Sequence, residues 1–469
     1  MTRQNAIDLA AACYTSGRFR AELARRIALR TESQEEGRME VLRAYLGEEI
    51  APAVADLGFA ADIIENPAPG FGPFLIAERW EEADLPTVLI YGHGDVVRGQ
   101  DASWREGLDP WTLTVEGDRW YGRGTADNKG QHGINLAALA AVIEARGGHV
   151  GFNTKLLIEM GEEAGSPGLR ALAHAQKHRL AADVLIASDG PRLSAERPTV
   201  FLGSRGSINF ELAISLRDGG HHSGNWGGLL ANPGTILASA IASMVDNRGR
   251  ILIDALRPPP IPEAVRQALA DIHPGGGPDD PEINAEWGEP GLTPAERVFA
   301  WNALEVLAFE TGNPRSPVNA IPPSARAVMQ LRFVVGTDSA GALGAVRRHL
   351  DAHGFGLVEV APTRMEQFAA TRLDPADPWV AWTLASIAAT TGNAPALLPN
   401  LGGSLPNDAF ADILGLPTIW IPHSYPGCSQ HAPDEHLLGS ITGEALRIMA
   451  GLFWDLGETG TAPLRARRT

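Results

Sequence analysis

Apolar residues recur at helical spacing near the start of the chain, at Ile7, Leu9, Ala10, Leu23 and Ile27, so residues 6–30 are expected to be helical. A second run of the same kind covers 38–57. The pattern then changes to short, almost wholly apolar stretches at 87–91, 154–160, 183–187 and 417–421, with a helical stretch at 133–146 between the first two. Apolar runs of that length fit strands of a largely buried sheet, and their alternation with helices is the rhythm of an α/β domain. Between 204 and 366 the rhythm differs, with apolar and polar residues alternating at 208–216 and 326–335. That segment also predicts two helices, one with Asn232 as N-cap and Pro233 at its first position, the other over 340–353. The Pro- and Gly-rich stretches 257–262 and 274–281 read as loops, and the α/β pattern resumes at 379–390. The expected organisation is an α/β domain over 1–204, an inserted second domain over 205–366, and the completion of the first over 367–469.

Composition narrows the possible partners. With 469 residues the chain has room for roughly two to four domains. A formal net charge of -17 repels phosphate backbones and anionic membranes, which argues against nucleic acid or a membrane as partner. No apolar run approaches the length of a membrane span. The two cysteines, Cys13 and Cys428, lie far apart and supply no disulfide framework, so a cytoplasmic setting is expected.

The candidate chemistry lies where predicted strands end. His93 and Asp95 follow the first strand in Tyr-Gly-His-Gly-Asp; Glu162 and Glu163 follow the second; Asp189 follows the third in Ala-Ser-Asp-Gly. In open α/β sheets, sites form beyond the carboxyl ends of the strands, so the three positions agree with one another. Asp127, in Gly-Arg-Gly-Thr-Ala-Asp-Asn-Lys-Gly at 122–130, precedes the predicted helix, and His431, in Gln-His-Ala-Pro-Asp-Glu-His at 430–436, follows the last strand. Imidazoles and carboxylates in these numbers suit a pair of divalent cations with a base beside them. Taken singly, each motif has a plainer reading: a turn at Asp127, a solvated helix start at Glu162 and Glu163, a packed loop residue at His431. Trp104, Trp111 and Trp120 read as packing groups rather than a cofactor box.

The ordered series His-x-Asp, Gly-Arg-Gly-x-x-Asp-x-Lys-Gly, Glu-Glu-x-Gly-Ser, Ser-Asp and a distant His before an acidic patch resembles the M20 metallopeptidases, the carnosinase and carboxypeptidase G type, from about residue 88 to 436. The stretch around Trp104, 109–111 and 120–121 resembles the dipeptidase branch. The resemblance implies a mixed-sheet, zinc-peptidase-like catalytic domain with an inserted α+β lid and dimerisation domain, working as a homodimer. It implies two divalent ions, zinc first, with manganese or cobalt as alternatives. Asp127 would bridge them, His93 and Asp189 holding one ion, Glu163 and His431 the other. Asp95 would orient the His93 imidazole, and Glu162 would be the general base. His222, with His221 as its competitor, matches a lid histidine that reaches across a dimer to the substrate carbonyl. Asn319 and Arg332 look like the residues that hold the substrate carboxylate, and Gly402, Gly403 and Ser404 like a loop lining the same pocket. One departure stands out: Asn400 and Leu401 occupy positions where carnosinase-like members often have an acidic residue followed by Gly.

The reaction this implies is hydrolysis of a peptide bond, dipeptide-like, near a free carboxylate. The alternative is an N-acyl or N-carbamoyl amino-acid amidohydrolase built on the same metal centre. A scaffold that had lost its chemistry would be expected to lack Glu162 or a ligand, and all six positions remain competent. A phosphoesterase would want more basic groups than Arg123, Lys129 and Arg332.

Overall fold

The computed structural model describes residues 2–277, 280–363 and 368–468. An eight-stranded mixed sheet runs in the spatial order Ala60–Ile64, Phe74–Arg79, Asn153–Glu159, Thr87–His93, Val184–Ala187, Thr418–Trp420, Thr199–Phe201, Ala396–Leu398. Its centre is parallel, with Thr87–His93 between Asn153–Glu159 and Val184–Ala187, while the edge at Ala60–Ile64 and Phe74–Arg79 is antiparallel.

The two-residue period of a strand explains why the central runs are apolar throughout. Val88 and Ile90 face a cluster with helices Arg3–Thr15, Lys129–Ala145 and Gly439–Thr459, while Leu89 and Tyr91 face one with Leu169, Leu172 and Phe410. Helices therefore cover both faces, and the expected α/β class with a mixed sheet holds.

Several boundaries differ from the sequence pattern. The run at 6–30 is two helices, Arg3–Thr15 and Arg18–Ala28, and that at 38–57 is three abutting segments with a π-helical turn at Tyr45–Ile50. The helix expected from residue 133 starts at Lys129. Its first turn is polar and fully buried, so hydrophobic spacing alone misses it. The Lys129 ammonium donates to the carbonyls of Arg26 and Leu29 at 3.0 and 2.7 Å, satisfying the C-terminal end of helix Arg18–Ala28. The 21-residue helix Gly439–Thr459 was not expected, although Ser440, Glu444, Arg447, Asp455 and Glu458 fall at helical spacing along its one polar face.

A separate four-stranded antiparallel sheet is ordered Ala303–Thr311, Ser324–Phe333, Gly206–Ser215, Glu359–Pro362. Ile208, Phe210, Leu212 and Ile214 pack against Leu237, Ala240 and Met244 of helix Pro233–Met244 and against Val346 and Leu350 of helix Ala342–Ala352. Asn232 caps the first of these helices through the amides of Gly234 and Thr235, as its position predicts. The opposite face carries Ser207, Asn209, Gln330 and Arg332. The α+β insert is thus present, while its expected end at 366/367 lies outside the described residues, as do Pro278 and Asp279 of the loop expected at 274–281.

At the start of helix Lys129–Ala145 the chain folds tightly back on the loop that carries Asp127. A Cβ added at Gly130 would lie 2.0 Å from the Thr125 carbonyl oxygen, a backbone atom with no freedom to yield. We expect Gly130→Ala to cost about 1–3 kcal/mol in chemical denaturation; an unchanged midpoint would contradict this close approach.

Candidate metal centre

His93 is the last residue of strand Thr87–His93 and is wholly buried. Its neighbour Gly92 has to be small, since a Cβ there would sit 2.5 Å from the Cβ of His132 on helix Lys129–Ala145. Asp127 ends the loop before that helix, and its carboxylate divides between the two histidines. Its Oδ1 lies 3.0 Å from His93 Nε2 and its Oδ2 lies 2.9 Å from His431 Nε2. Asp189 Oδ2 stands 3.6 Å from His93 Nε2, and Glu163 Oε2 stands 3.1 Å from His431 Nε2. Two groups result, His93 with Asp127 and Asp189, and Asp127 with Glu163 and His431, each with ligand atoms within 4.8 Å of one another. All five expected ligands meet in one place, with Asp127 shared.

The donor chemistry fits divalent cations: three carboxylates and two imidazoles, hard and borderline ligands of the kind zinc and manganese accept. A second observation agrees. Glu163 Oε1 and Asp189 Oδ2 are buried without any hydrogen-bond partner, which is costly for a carboxylate unless a cation is its partner.

The electrostatics follow from this crowding. Burial disfavours charge on His93, yet the Asp127, Asp189 and Asp95 carboxylates outweigh it and raise its pKa well above the usual value. His431 is pushed up to about 11 by its hydrogen bonds to Asp127 and Glu163. Burial opposes ionisation of Asp127 as well, but the two imidazoles hold it below the ordinary carboxylate range. Glu163 goes the other way, to about 7, through burial and then the Asp127 charge, and Asp189 is raised for the same reasons. Glu162 is raised well above its usual value by burial, then by Glu163, Asp189 and Asp127, with His93 acting against them.

Two buried acids shape the surrounding loops. The Asp95 carboxylate accepts the backbone amides of Glu162 and Glu163 at 3.2 and 3.1 Å, which fixes the turn carrying both. It also stands 3.4 Å from His93 Nδ1, but the Asp95 backbone carbonyl is nearer, at 3.1 Å. Asp95 therefore meets the ring with both groups, and its carboxylate has a second task that the sequence did not disclose. Glu435 was not singled out either. Its Oε1 accepts the amides of Gly124, Ala126 and Asp127 at 3.0, 3.0 and 3.1 Å, and its Oε2 pairs with buried Arg123 at 2.7 Å. Glu435 lies four residues after His431 in Asp-Glu-His, where nothing local sets it apart from a solvated acid. Gln430 was missed too; its amide donates to Asp127 Oδ2. His431 itself sits at a φ of 62°, uncommon for a residue with a side chain and consistent with a constrained position.

A cavity of about 1160 Å³ opens over this cluster. Asp127, Glu162, Glu163, Asp189 and His431 line its floor, and Arg332, Gly402, Gly403 and Ser404 line it as well. Arg332 Nη1 donates to Ser404 Oγ at 2.8 Å, joining the four-stranded sheet to the Gly402–Gly403 loop. Leu401 lines the cavity, whereas Asn400 is buried. His222 and Asn319 are not brought here. His222 is exposed and pairs with Ala320 in a two-stranded ladder, and the Asn319 carbonyl accepts the Ser223 amide at 2.8 Å. Trp104, Trp111 and Trp120 are buried packing groups, as expected.

A carboxylate and imidazole cluster at the strand ends of an α/β sandwich, buried on the His93 side and open at the exposed His431, roofed by an inserted sheet, is the construction of the metallopeptidase class. Residues 89–455 match the model of peptidase family M20/M25/M40, and the chain belongs to that family. It is 38% identical over 189 residues to mouse Beta-Ala-His dipeptidase, covering 39% of this chain and 37% of that protein. It is 31% identical over 283 residues to the Cysteinylglycine-S-conjugate dipeptidase of Corynebacterium striatum, covering 58% and 59%. The matched stretches thus span less than two thirds of these curated relatives. The fold of human carnosine dipeptidase 1 superposes with a TM-score of 0.78 at 21% identity, covering 97% of this chain and 99% of that one.

Protons and cations compete for the same atoms here, which fixes the sign of a pH effect. His431, pushed up to about 11 by Asp127 and Glu163, and Glu163, raised to about 7 by burial, both hold protons more readily than free groups do. A cation must displace these protons, so affinity for Zn2+ should fall as pH is lowered from 8 to 6, by about tenfold or more per unit. Competition with a chromophoric chelator measures this, and a pH-independent affinity would mean that these residues do not bind the ion.

Proposed function

We propose that the chain hydrolyses a peptide bond, dipeptide-like, next to a free carboxylate. The observation that carries the reading is Glu162: it lines the cavity beside both ligand groups and belongs to neither. His93, Asp127 and Asp189 would hold one ion, and Asp127, Glu163 and His431 the other, with Zn2+ first and Mn2+ or Co2+ as alternatives. Bound there, the ions supply Lewis acidity and lower the pKa of water at the site.

The protein's own groups do the rest. Glu162, its pKa raised by burial and by three neighbouring carboxylates, takes a proton from the attacking water and passes it to the leaving amine. Asp95 keeps Glu162 in place through its backbone amide. Arg332 offers the substrate carboxylate a planar guanidinium at the cavity wall, with Gly402, Gly403 and Ser404 beside it. Residues 205–366 act as the lid.

His222 and Asn319 lie outside the cavity of their own chain, and Trp226, Leu229 and Val318 near them are 45%, 76% and 77% exposed. We take this face to be covered by a second copy in a homodimer, where His222 and Asn319 reach substrate and His222 steadies the developing oxyanion. A cytoplasmic setting suits the free, buried Cys13 and Cys428, and no helix among the described residues is long and apolar enough to cross a membrane. An N-acyl or N-carbamoyl amino acid would use the same centre, and a panel of dipeptides against acyl amino acids separates the two.

Replacing Glu162 with Ala should leave metal content near that of the unaltered protein while lowering kcat by several orders of magnitude. Retention of most activity would remove Glu162 from the role of base. Mixing His222→Ala protein with Glu162→Ala protein should regenerate active hybrid sites once subunits exchange. Exchange without any recovery would rule out action between subunits.

A further inference from the structure

The inserted sheet presents a row of polar side chains to the cavity, and their hydrogen bonds have a direction. An arginine Nε–H can only donate, so the 3.0 Å contact from Arg332 Nε to Gln330 Oε1 fixes which end of the Gln330 amide is its oxygen. The Gln330 NH2 group then donates to Asn209 Oδ1 at 2.8 Å. That contact in turn fixes Asn209, whose Nδ2 has no acceptor among the described residues. Ser404 Oγ takes one Nη1 proton of Arg332 at 2.8 Å and passes its own to the Arg205 carbonyl at 2.7 Å. Nε and one Nη1 proton are thereby engaged, which closes the side edge through Nε to a two-pronged ligand and leaves Nη2 and the second Nη1 proton as the free donors. Burial lowers the pKa of Arg332, and no carboxylate is recorded as its partner among the described residues. Asn209, Gln330 and Arg332 all line the cavity.

From this we propose that Gln330 is a positioning residue that aims Arg332 end-on at the substrate carboxylate, and that Asn209 Nδ2 is a further donor to the same substrate. The inference rests on the reading of Arg332 as the carboxylate-binding residue. It makes the subsite selective for a planar anion, since two fixed N–H groups on one edge match the two oxygens of a carboxylate.

The test is a double-mutant cycle on the metal-loaded enzyme, using one hydrolysed dipeptide and its C-terminal amide. Gln330→Met should raise KM for the dipeptide roughly tenfold with kcat within about twofold, a size ordinary for contacting residues. KM for the amide should not move. In an Arg332→Ala background the same change should add nothing, because the group it positions is gone. Asn209→Asp, which replaces the free donor with an anion, should raise KM for the dipeptide and spare the amide. A Gln330→Met enzyme that discriminates acid from amide as before, or a penalty that simply adds to that of Arg332→Ala, overturns the positioning role. An Asn209→Asp enzyme with unchanged KM overturns the second donor. If Arg332→Ala alone leaves KM for the dipeptide unchanged, it is the reading of Arg332 that fails, and this inference with it.

Discussion

Three carboxylates and two imidazoles held within coordinating distance, all with buried side chains except the exposed His431 ring, are the constraint on which the rest of the structure depends. Groups of like charge repel there, and burial penalises each one. Left to mobile loops, the side chains would move apart or take up protons. The fold answers by fixing four of the five ligands to rigid supports. His93 and Asp189 come directly off strand ends, and the turn bearing Glu163 is tied by the Asp95 carboxylate. Asp127 is tied by Glu435, which draws the loop amides of Gly124, Ala126 and Asp127 and a buried arginine to one carboxylate.

The strand order explains why these positions converge. Thr87–His93 lies between Asn153–Glu159 and Val184–Ala187, and the three run parallel, so their carboxyl ends open on the same edge. Helix Lys129–Ala145 starts at that edge, which brings Asp127 beside His93. The inserted sheet then places its polar face over the cavity, and the Arg332 to Ser404 hydrogen bond ties the two walls together.

The ligand set was legible because metal chemistry leaves few residue types to choose from, and here they sit in short motifs at strand ends. His93, Asp127, Glu163, Asp189 and His431 each sit in a short motif that says little alone; the order of those motifs and their resemblance to the M20 metallopeptidases single them out together. Glu435, Gln430 and Gln330 could not be found in this way, since a carboxylate that accepts three amides, or an amide that aims an arginine, looks like any polar residue until its partners are known. The helix Gly439–Thr459 was legible in principle, since Ser440, Glu444, Arg447, Asp455 and Glu458 mark one polar face at helical spacing.

By itself the sequence determined the α/β class, the presence of an insert and the residues competent to hold cations, because periodicity and side-chain chemistry are local properties. Tertiary structure alone decided which nitrogen faces which carboxylate, that Asp95 serves a backbone turn as well as an imidazole, and that His222 and Asn319 stand apart from their own cavity. Those facts depend on distances between segments far apart in the chain, such as the contact between Asp127 and His431, and such distances are set by packing and strand order rather than by any local pattern.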